Sequence, residues 1–268
     1  MIDTKKFYIN GAWVAPISDR EMEVIDPSTE QVCGTIAIGN QADTDAAVAA
    51  AKAAFDDWSQ TPKARRIVLL KKFLTVYQAR NEEMGRAISL EMGAPIDMAL
   101  TSQAESGSEH AEGLIEELEK FEFERALNDS APNDRIIYEA IGVCALITPW
   151  NWPMNQVSLK AIAAMAAGCT MVLKPSEIAP LSSLVFADMV HEAGIPAGVF
   201  NMVNGDGAGV GSHLTSHPDV DMVSFTGSTR AGALISKNAA DTVKRVALEL
   251  GGKGANIVFA DADDKAIE

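Results

Sequence analysis

One carboxylate, Glu249, stands inside an apolar stretch of this 268-residue sequence. The stretch, RVALELGGKGANIVF (residues 245–259), is typical of a β-strand, and two glycines follow the acid almost at once. A strand core seldom holds an unpaired acid, because removing a carboxylate from water costs several kcal/mol unless a partner or a proton compensates it. We therefore expect Glu249 to have a chemical role, and polar residues at other strand ends indicate what it acts on.

Asn151 lies between two tryptophans and two prolines in the segment PWNWP, which follows the apolar run CALIT. The flanking prolines restrict the backbone and hold the amide in place. An amide held in this way can donate a hydrogen bond to an oxyanion. The alternative is a packed aromatic turn in which Asn151 is the N-cap of the next helix.

Lys174, Ser176 and Glu177 cluster in the segment KPSE, which follows the apolar run TMVL. A lysine and an acid at a strand end can bind the hydroxyls of a ribose. The alternative is a solvated loop that begins a helix.

Two glycine-containing turns follow the next strands. The first, NGDGAGVG, lacks the G-x-G-x-x-G spacing of dinucleotide-binding loops, so we expect close packing between strand and helix, with Gly207 or Gly211 near a ligand. In the second, TGSTRAG, Thr226, Gly227 and Ser228 lie where a helix begins. Free N–H groups there favour an anion, and Gly227 would let a phosphate approach. The alternative for Ser228 or Thr226 is an ordinary helix cap.

The elements that position these residues alternate regularly from Gly142 onward. Apolar strands are separated by helices of about 10–15 residues, which predicts an α/β fold, a doubly wound parallel sheet with helices on both faces. Ligands bind such sheets beyond the carboxyl ends of the strands. The predicted strands are GVCALIT, TMVLK, VFNMV, VDMVSF, RVALEL and ANIVF.

The first half of the chain has a different pattern. Two hairpins are predicted, with turns at the NG of FYINGAWV and at the DPS of VIDPSTEQV. Four helices follow: Asp43 or Thr44 caps the first, Pro62 precedes the second, Gly93 ends the third, and the fourth covers about residues 95–119. Two further strands around the loop NDSAPN form a ribbon at residues 122–140, either an arm for self-association or a surface hairpin.

Composition excludes several classes of protein. The net charge of −15 disfavours binding to nucleic acid or to anionic membrane surfaces. No apolar run is long enough to span a membrane, and the N-terminus lacks the features of a secretory signal. Cys33, Cys144 and Cys169 are too few and too scattered for a disulfide scaffold or a zinc site, so no metal site is predicted and we expect a cytoplasmic protein.

The segments PWNWP, KPSE, FTGST and LELGGK, in this order and spacing, resemble the aldehyde dehydrogenase superfamily, and FYINGAWV and IDPSTEQV are similar to its opening. The resemblance covers essentially the whole chain. It implies a Rossmann-like NAD-binding domain, a β-ribbon oligomerisation arm and NAD(P)-dependent oxidation of an aldehyde to a carboxylic acid. The full-length protein is expected to be a homo-oligomer, either a dimer or a tetramer.

The resemblance also implies roles for individual residues. Asn151 becomes the oxyanion-hole amide, and Glu249 the general base that activates a cysteine or the deacylating water. Partial burial beside the nicotinamide would raise the pKa of Glu249 toward the working pH. Lys160 becomes a supporting residue of the active site. The implied cofactor-binding residues are Ile147, Thr148, Pro149, Trp150, Lys174, Ser176, Glu177, Gly207, Gly211, Phe225, Thr226, Gly227, Ser228, Leu250 and Gly251.

A few of these residues predict the choice of cofactor and the polarity of the substrate tunnel. Glu177 favours NAD over NADP, because an acid beside the ribose repels a 2′-phosphate. The helix after PWN lines the aldehyde tunnel in the family, so Trp152, Asn155, Gln156 and Leu159 are expected to do so here. The two amides among them indicate a less apolar tunnel.

The chain departs from the family pattern in its cysteines. None of Cys33, Cys144 and Cys169 occurs in the context of the family's nucleophile, which follows the LELGGK strand. Three alternatives stay open: the N-terminal portion of a longer aldehyde dehydrogenase, a truncated paralogue that binds nucleotide without chemistry, or a non-catalytic partner subunit. We expect no aldehyde oxidation by residues 1–268 alone. The predicted divisions are 1–121, the 122–140 arm, the 141–260 cofactor-binding domain, and 261–268, the start of a catalytic domain.

Overall fold

The computed structural model describes residues 3–263, so most of the predicted division 261–268 lies outside the described residues. The strands are β1 (Phe7–Ile9), β2 (Ala12–Val14), β3 (Glu21–Asp26), β4 (Gln31–Ala37), β5 (Glu124–Asn128), β6 (Ala131–Ile137), β7 (Val143–Ile147), β8 (Thr170–Lys174), β9 (Phe200–Met202), β10 (Met222–Gly227) and β11 (Arg245–Leu250). The α-helices are α1 (Gln41–Ser59), α2 (Lys63–Ala79), α3 (Asn81–Met92), α4 (Ile96–Met98), α5 (Glu105–Lys120), α6 (Pro153–Ala167), α7 (Leu181–Ala193), α8 (Ser212–Ser216) and α9 (Thr229–Ala240). π-Helical turns at Ala99–Ala104 and Gly207–Gly211 lead into α5 and α8.

A mixed sheet forms the centre of the molecule, with strand order β11-β10-β7-β8-β9-β1-β2. The strands from β7 to β11 run parallel, whereas β1 pairs antiparallel with both β9 and β2. Alternate residues along β7 and β8 point to opposite faces of the sheet, as strand geometry requires. Leu146 and Leu173 belong to one apolar cluster, and Ala145 and Val172 to the other.

Helices cover both faces, which confirms the predicted doubly wound arrangement. One cluster joins the sheet to α6 and α7, with α2, α3 and α5 packed outside them. The other cluster joins the opposite face to α1, α8 and α9. Burial on both faces explains why the parallel strands are continuous apolar runs in the sequence.

The winding direction reverses beside β7. From β7 the chain moves outward through β8 to β9, and then returns to place β10 on the other side of β7. Such a reversal opens a crevice at the carboxyl ends of the two strands, where α/β proteins bind ligands. The crevice here lies between the ends of β7 and β10.

The N-terminal hairpin turns as predicted, with Asn10 and Gly11 in left-handed conformations (φ 52° and 75°). The predicted cap of α1 was wrong. Asn40 is the N-cap and accepts from the backbone N–H of Asp43, whose side chain accepts in return from the N–H of Asn40. This reciprocal pair satisfies two of the otherwise unpaired N–H groups at the helix start.

Two other predictions differ in detail from the structure. The predicted fourth helix contains the π-helical turn at Ala99–Ala104. The predicted strand ANIVF is wrong: residues 255–259 follow β11 as exposed irregular chain. In the described part of the chain no neighbouring strand offers its edge to this segment, and an isolated apolar run gains nothing from extended structure.

The ribbon forms as predicted, with β5 and β6 paired only with each other within residues 3–263. The same described residues hold no helix that is long and apolar enough to cross a membrane.

Candidate active site

The polar residues of the parallel strands converge at one rim, because β7, β8, β10 and β11 all end there. A cavity of about 1190 Å³ opens beside this rim, between α6 and the surface of β10 and β11. Nine of the predicted site residues line it: Pro149, Trp150, Asn151, Thr226, Gly227, Ser228, Glu249, Leu250 and Gly251.

The other predicted residues do not line this cavity. Ile147, Thr148 and Phe225 are buried in the sheet, and Ile147 and Phe225 face the apolar cluster on the α1 side. Lys174 approaches Gly211, whose absent Cβ would lie 3.7 Å from the lysine side chain. The structure therefore divides the predicted residues into a cavity group and a group around Lys174.

Lys174 is the last residue of β8, and its side chain is 3% exposed. Its ammonium donates to the carbonyl of Pro175 at 2.9 Å and to Glu177 Oε2 at 3.0 Å. Burial lowers the pKa of Lys174, and the neighbouring carboxylate of Glu177 opposes that change. Glu177 and Ser176 are half-buried, so their side chains remain accessible beside the lysine.

Asp206 belongs to this group, although the sequence analysis did not select it. It is the N-cap of the turn Gly207–Gly211, and its carboxylate accepts from the N–H of Gly209. Arg20 donates to the same carboxylate at 3.0 Å. The hydrogen bond from Gly209, reinforced by Arg20, lowers the pKa of Asp206. An Asp immediately before a glycine-rich helical turn is the available sequence signal for this cap.

Ser228 is the N-cap of α9, and its Oγ accepts from the N–H of Ala231 at 3.2 Å. The cap interpretation is therefore correct, and it is compatible with an anion site. The N–H groups of Thr229 and Arg230 have no partner within the helix, because an α-helix leaves its first N–H groups unpaired.

The sequence analysis missed a structural reason for a glycine at position 227. A Cβ at this position would lie 2.5 Å from the ring of Phe225. The absent side chain therefore makes room for an aromatic ring of the same strand. Gly207 differs, because nothing lies within 4 Å of the position that its Cβ would take.

Asn151 is exposed at the mouth of the cavity. Its amide makes no hydrogen bond to any of residues 3–263, and Trp152 occupies the N-cap position of α6. The alternative in which Asn151 caps α6 is therefore wrong. The free amide remains available to an oxygen atom in the cavity.

Glu249 pairs in register with Thr226, which places the acid at the ends of the central strands. The expectation that Glu249 is partly buried is wrong for the described chain, because its side chain is exposed. No helix in residues 3–263 covers β10 and β11 on the α6 side, so this strand face is open.

Two residues of α6 reach β10 and line the cavity near Glu249. Lys160 Nζ donates to Ser224 Oγ at 3.0 Å, and Gln156 Oε1 accepts from Thr226 Oγ1 at 3.0 Å. Burial lowers the pKa of Lys160, while the charge of Glu249 acts in the opposite direction. The carboxylate of Glu249 thus acts on the ammonium of Lys160 across the cavity.

The expected tunnel residues separate into two groups. Leu159 and Gln156 line the cavity, whereas Trp152 and Asn155 do not. Asn155 Nδ2 lies 2.9 Å from His110 Nε2, and Gln156 is held by Thr226. Both amides are hydrogen-bonded within the fold, and the polarity of the tunnel stays a prediction.

Cys144 and Cys169 line the same cavity as Asn151 and Glu249, but at a different level of the strands. Cys144 pairs with Met222, whereas Glu249 pairs with Thr226. Four residues of strand separate the two levels by about 13 Å. Cys169 lies beside Cys144, and hydrogen bonding between the two buried thiols raises the pKa of Cys144 and lowers that of Cys169. Cys33 lies on β4.

Comparison with known proteins decides the family. A model described as the aldehyde dehydrogenase family matches residues 13–268. The chain belongs to the aldehyde dehydrogenase family. It is 53% identical to a 3-succinoylsemialdehyde-pyridine dehydrogenase of a Pseudomonas species, over 98% of this chain and 54% of that protein. This aldehyde dehydrogenase chain therefore spans about half the length of that relative.

Solved structures of the same family superpose closely on this chain. An aldehyde dehydrogenase from Bartonella henselae is 56% identical, with a TM-score of 0.97 over 100% of this chain and 56% of its own. A mutant of aldehyde dehydrogenase C from Pseudomonas syringae, in complex with NAD+ and octanal, is 50% identical, with a TM-score of 0.94. The match covers 97% of this chain and 53% of that one. The mixed α/β fold with a largely parallel sheet is thus the fold of the NAD-binding domain of aldehyde dehydrogenases.

Proposed function

We propose that this chain is the cofactor-binding part of an enzyme that oxidises an aldehyde to a carboxylic acid with NAD. The observation that carries the proposal is the crevice between β7 and β10, which brings Trp150, Ser228 and Glu249 to one rim. This arrangement supports a ligand that crosses the sheet edge from the Lys174 group to the cavity.

The residues fit a dinucleotide in three respects. Lys174 and Glu177 offer a donor and an acceptor to the ribose hydroxyls. The start of α9 offers unpaired N–H groups to the pyrophosphate. Open space at Gly207, together with the exposed ring of Trp150, leaves room for the cofactor. NAD, when bound, supplies the acceptor for the hydride of the aldehyde.

The chain's own residues then support the reaction at the nicotinamide end. Asn151 donates its free amide hydrogen bond to the oxyanion that forms on the aldehyde oxygen. Glu249 takes the proton of the attacking thiol or of the hydrolytic water. Lys160 lies on the opposite wall, where the charge of Glu249 raises the pKa of the lysine against the larger effect of burial. None of the three cysteines lies at the rim, so the thiol nucleophile comes from residues other than Cys33, Cys144 and Cys169.

The cofactor preference and the setting belong to the same proposal. The carboxylate of Glu177 favours NAD over NADP by repelling a 2′-phosphate. The substrate is a small-molecule aldehyde. Three free cysteines among the described residues agree with a reducing, cytoplasmic location.

We also propose that the chain self-associates through its ribbon. β5 and β6 pair only with each other among residues 3–263, and their side chains are mostly exposed. Apolar side chains are exposed on and beside this ribbon: Phe121, Leu127, Ile137 and Tyr138.

A titration of purified 1–268 with NAD, followed by quenching of tryptophan fluorescence, tests the cofactor proposal. We expect saturable binding, weakened about tenfold or more in Lys174→Met, because the buried ammonium is the ribose donor. Lys237→Met, an exposed change on α9, serves as the matched control. A folded protein that does not bind NAD would contradict the proposal.

The same protein, incubated with NAD and octanal, tests the assignment of the nucleophile through NADH absorbance. We expect binding without turnover. Sustained NADH formation would show that a cysteine of this chain is the nucleophile. Binding without turnover by the whole protein would favour the alternative of a nucleotide-binding paralogue.

A further inference from the structure

Three potential metal ligands meet on the surface that α1 and α8 share, away from the cavity. Asp45 lies in the second turn of α1, His213 in α8, and His217 directly after α8. The four-residue spacing of the histidines places both imidazoles on one side of the helix. The sequence analysis had predicted no metal site.

The ligand atoms converge on a small volume. Nε2 of His213 lies 2.5 Å from Asp45 Oδ1, and Nε2 of His217 lies 3.3 Å from the same oxygen. One ligand atom from each residue fits within 4.8 Å of the others. Tetrahedral zinc with bonds of about 2.1 Å separates its ligands by about 3.4 Å, so small side-chain movements suffice.

We propose that Asp45, His213 and His217 bind a divalent transition-metal ion of the zinc type. Two imidazoles and one carboxylate suit zinc, nickel or copper, whereas magnesium and calcium prefer sites made of oxygen ligands. Water completes the coordination, because Asp45 is exposed and one side of the cluster faces solvent.

The surroundings both favour and limit binding. Burial lowers the pKa of His217, while the charge of Asp45 acts in the opposite direction. The neutral imidazole is the form that binds a metal ion. However, Nδ1 of His217 accepts from the N–H of Asp219 at 3.1 Å. With a metal on Nε2, a neutral ring carries its proton on Nδ1, so this hydrogen bond breaks. We therefore expect micromolar affinity, about tenfold weaker than that of an unopposed site.

The position of the cluster gives the ion a structural consequence. α8 continues from the turn Gly207–Gly211, which adjoins Lys174. An ion held between α8 and Asp45 would fasten this turn to α1. Binding should therefore raise the melting temperature of the protein.

Zinc titration of chelator-stripped 1–268 tests the proposal, by competition with a chromophoric zinc indicator. We expect one site, weakened at least tenfold in Asp45→Asn and in His213→Gln. Asp57→Asn, an exposed acid near the end of the same helix, is the matched control and should bind like the unchanged protein. Circular dichroism of each variant establishes that it is folded.

Two further readouts separate this site from cysteine ligation. Cobalt substitution should produce d–d absorption bands without a thiolate charge-transfer band. Alkylating the cysteines should leave the zinc affinity unchanged. Equal zinc affinity in the original protein, Asp45→Asn and His213→Gln, or loss of binding on alkylation, would overturn the proposal.

Discussion

Most polar residues of the rim are held by a specific local interaction. Lys174 ends a buried strand and is fixed by Pro175 and Glu177. Ser228 caps α9 through the N–H of Ala231, and Thr226 is held by Gln156. Asn151 and Glu249 are the exceptions among the described residues, because neither side chain makes a hydrogen bond there.

Glu177→Gln should narrow the preference for NAD over NADP. The change keeps the size of the side chain but removes the charge that we propose repels a 2′-phosphate. We expect the ratio of the two dissociation constants to change about fivefold, which corresponds to about 1 kcal/mol. Calorimetric titration with each nucleotide measures it, with Glu116→Gln on the exposed face of α5 as the control. An unchanged ratio would mean that cofactor choice resides elsewhere.

Glu91 makes stability depend on pH. Its buried carboxyl group accepts from the N–H of Leu181 and from both N–H and Oγ of Ser182, at the start of α7. Burial raises the pKa of Glu91 from 4.5 to about 7, against the opposing effect of these hydrogen bonds. Between these values the folded state keeps a proton that the unfolded state has lost. The contribution of Glu91 to the free energy of unfolding therefore falls as pH rises through this window.

Urea unfolding of the original protein and of Glu91→Gln, at about pH 5.5 and about pH 7.5, tests this dependence. Relative to Glu91→Gln, the original protein should have a lower free energy of unfolding at the higher pH than at the lower one, by on the order of 1 kcal/mol. A difference that stays constant with pH would show that Glu91 does not titrate in this range.

At the scale of elements, the sequence predicted those parts whose signal is local. The Asn10-Gly11 turn, the end of α3 at Gly93 and the strand–helix alternation all formed as expected. The N-cap of α1 was missed because Asn40 and Asp43 share the capping. Residues 255–259 have the composition of a strand, but a strand also needs a neighbour, which composition does not report. The crevice follows from strand order, a long-range property.

Gly227→Ala should destabilise the protein more than Gly207→Ala. The added methyl group of the first variant meets the Phe225 ring at 2.5 Å, whereas that of the second enters open space. Overpacking of this kind costs about 1–3 kcal/mol. Thermal and urea unfolding of both variants measure the contrast. Equal stability would mean that Phe225 moves aside without cost.

The ribbon of β5 and β6 should control self-association. Replacing Leu127 and Ile137, which are 45% and 62% exposed, by Asp removes apolar surface from its strands. We expect light scattering to show an oligomer for 1–268 and a smaller species for this double variant. Ile17→Asp, 67% exposed and outside the ribbon, is the control. An oligomer that persists in the double variant would contradict the role of the ribbon.

At the scale of the whole molecule, the two sheet faces are unequal. On one face α9 packs against β10 and β11, while the α6 side of these strands is open in the described chain. The open side carries Trp150 and Leu159, which are 49% and 41% exposed. Exposed apolar surface of this kind marks an interaction site.

This open side should bind the hydrophobic dye ANS. Leu159→Ser should reduce the fluorescence enhancement, whereas Val68→Ser on α2, 55% exposed and outside this surface, should not. An equal fluorescence enhancement in the original protein and in the Leu159→Ser variant would mean that the dye binds elsewhere. If the proposed function is correct, bound NAD should also compete with the dye, because both would use the rim beside Trp150.

The pairing of β1 with β9 has a consequence for biosynthesis. Tyr8 pairs with Met202, so this apolar strand emerges from the ribosome long before its partner exists. At about 5–20 residues per second, β1 lacks its partner strand β9 for about 10–40 s of synthesis. During translation, the first dozen residues are therefore a natural target for chaperones that shield newly made apolar segments.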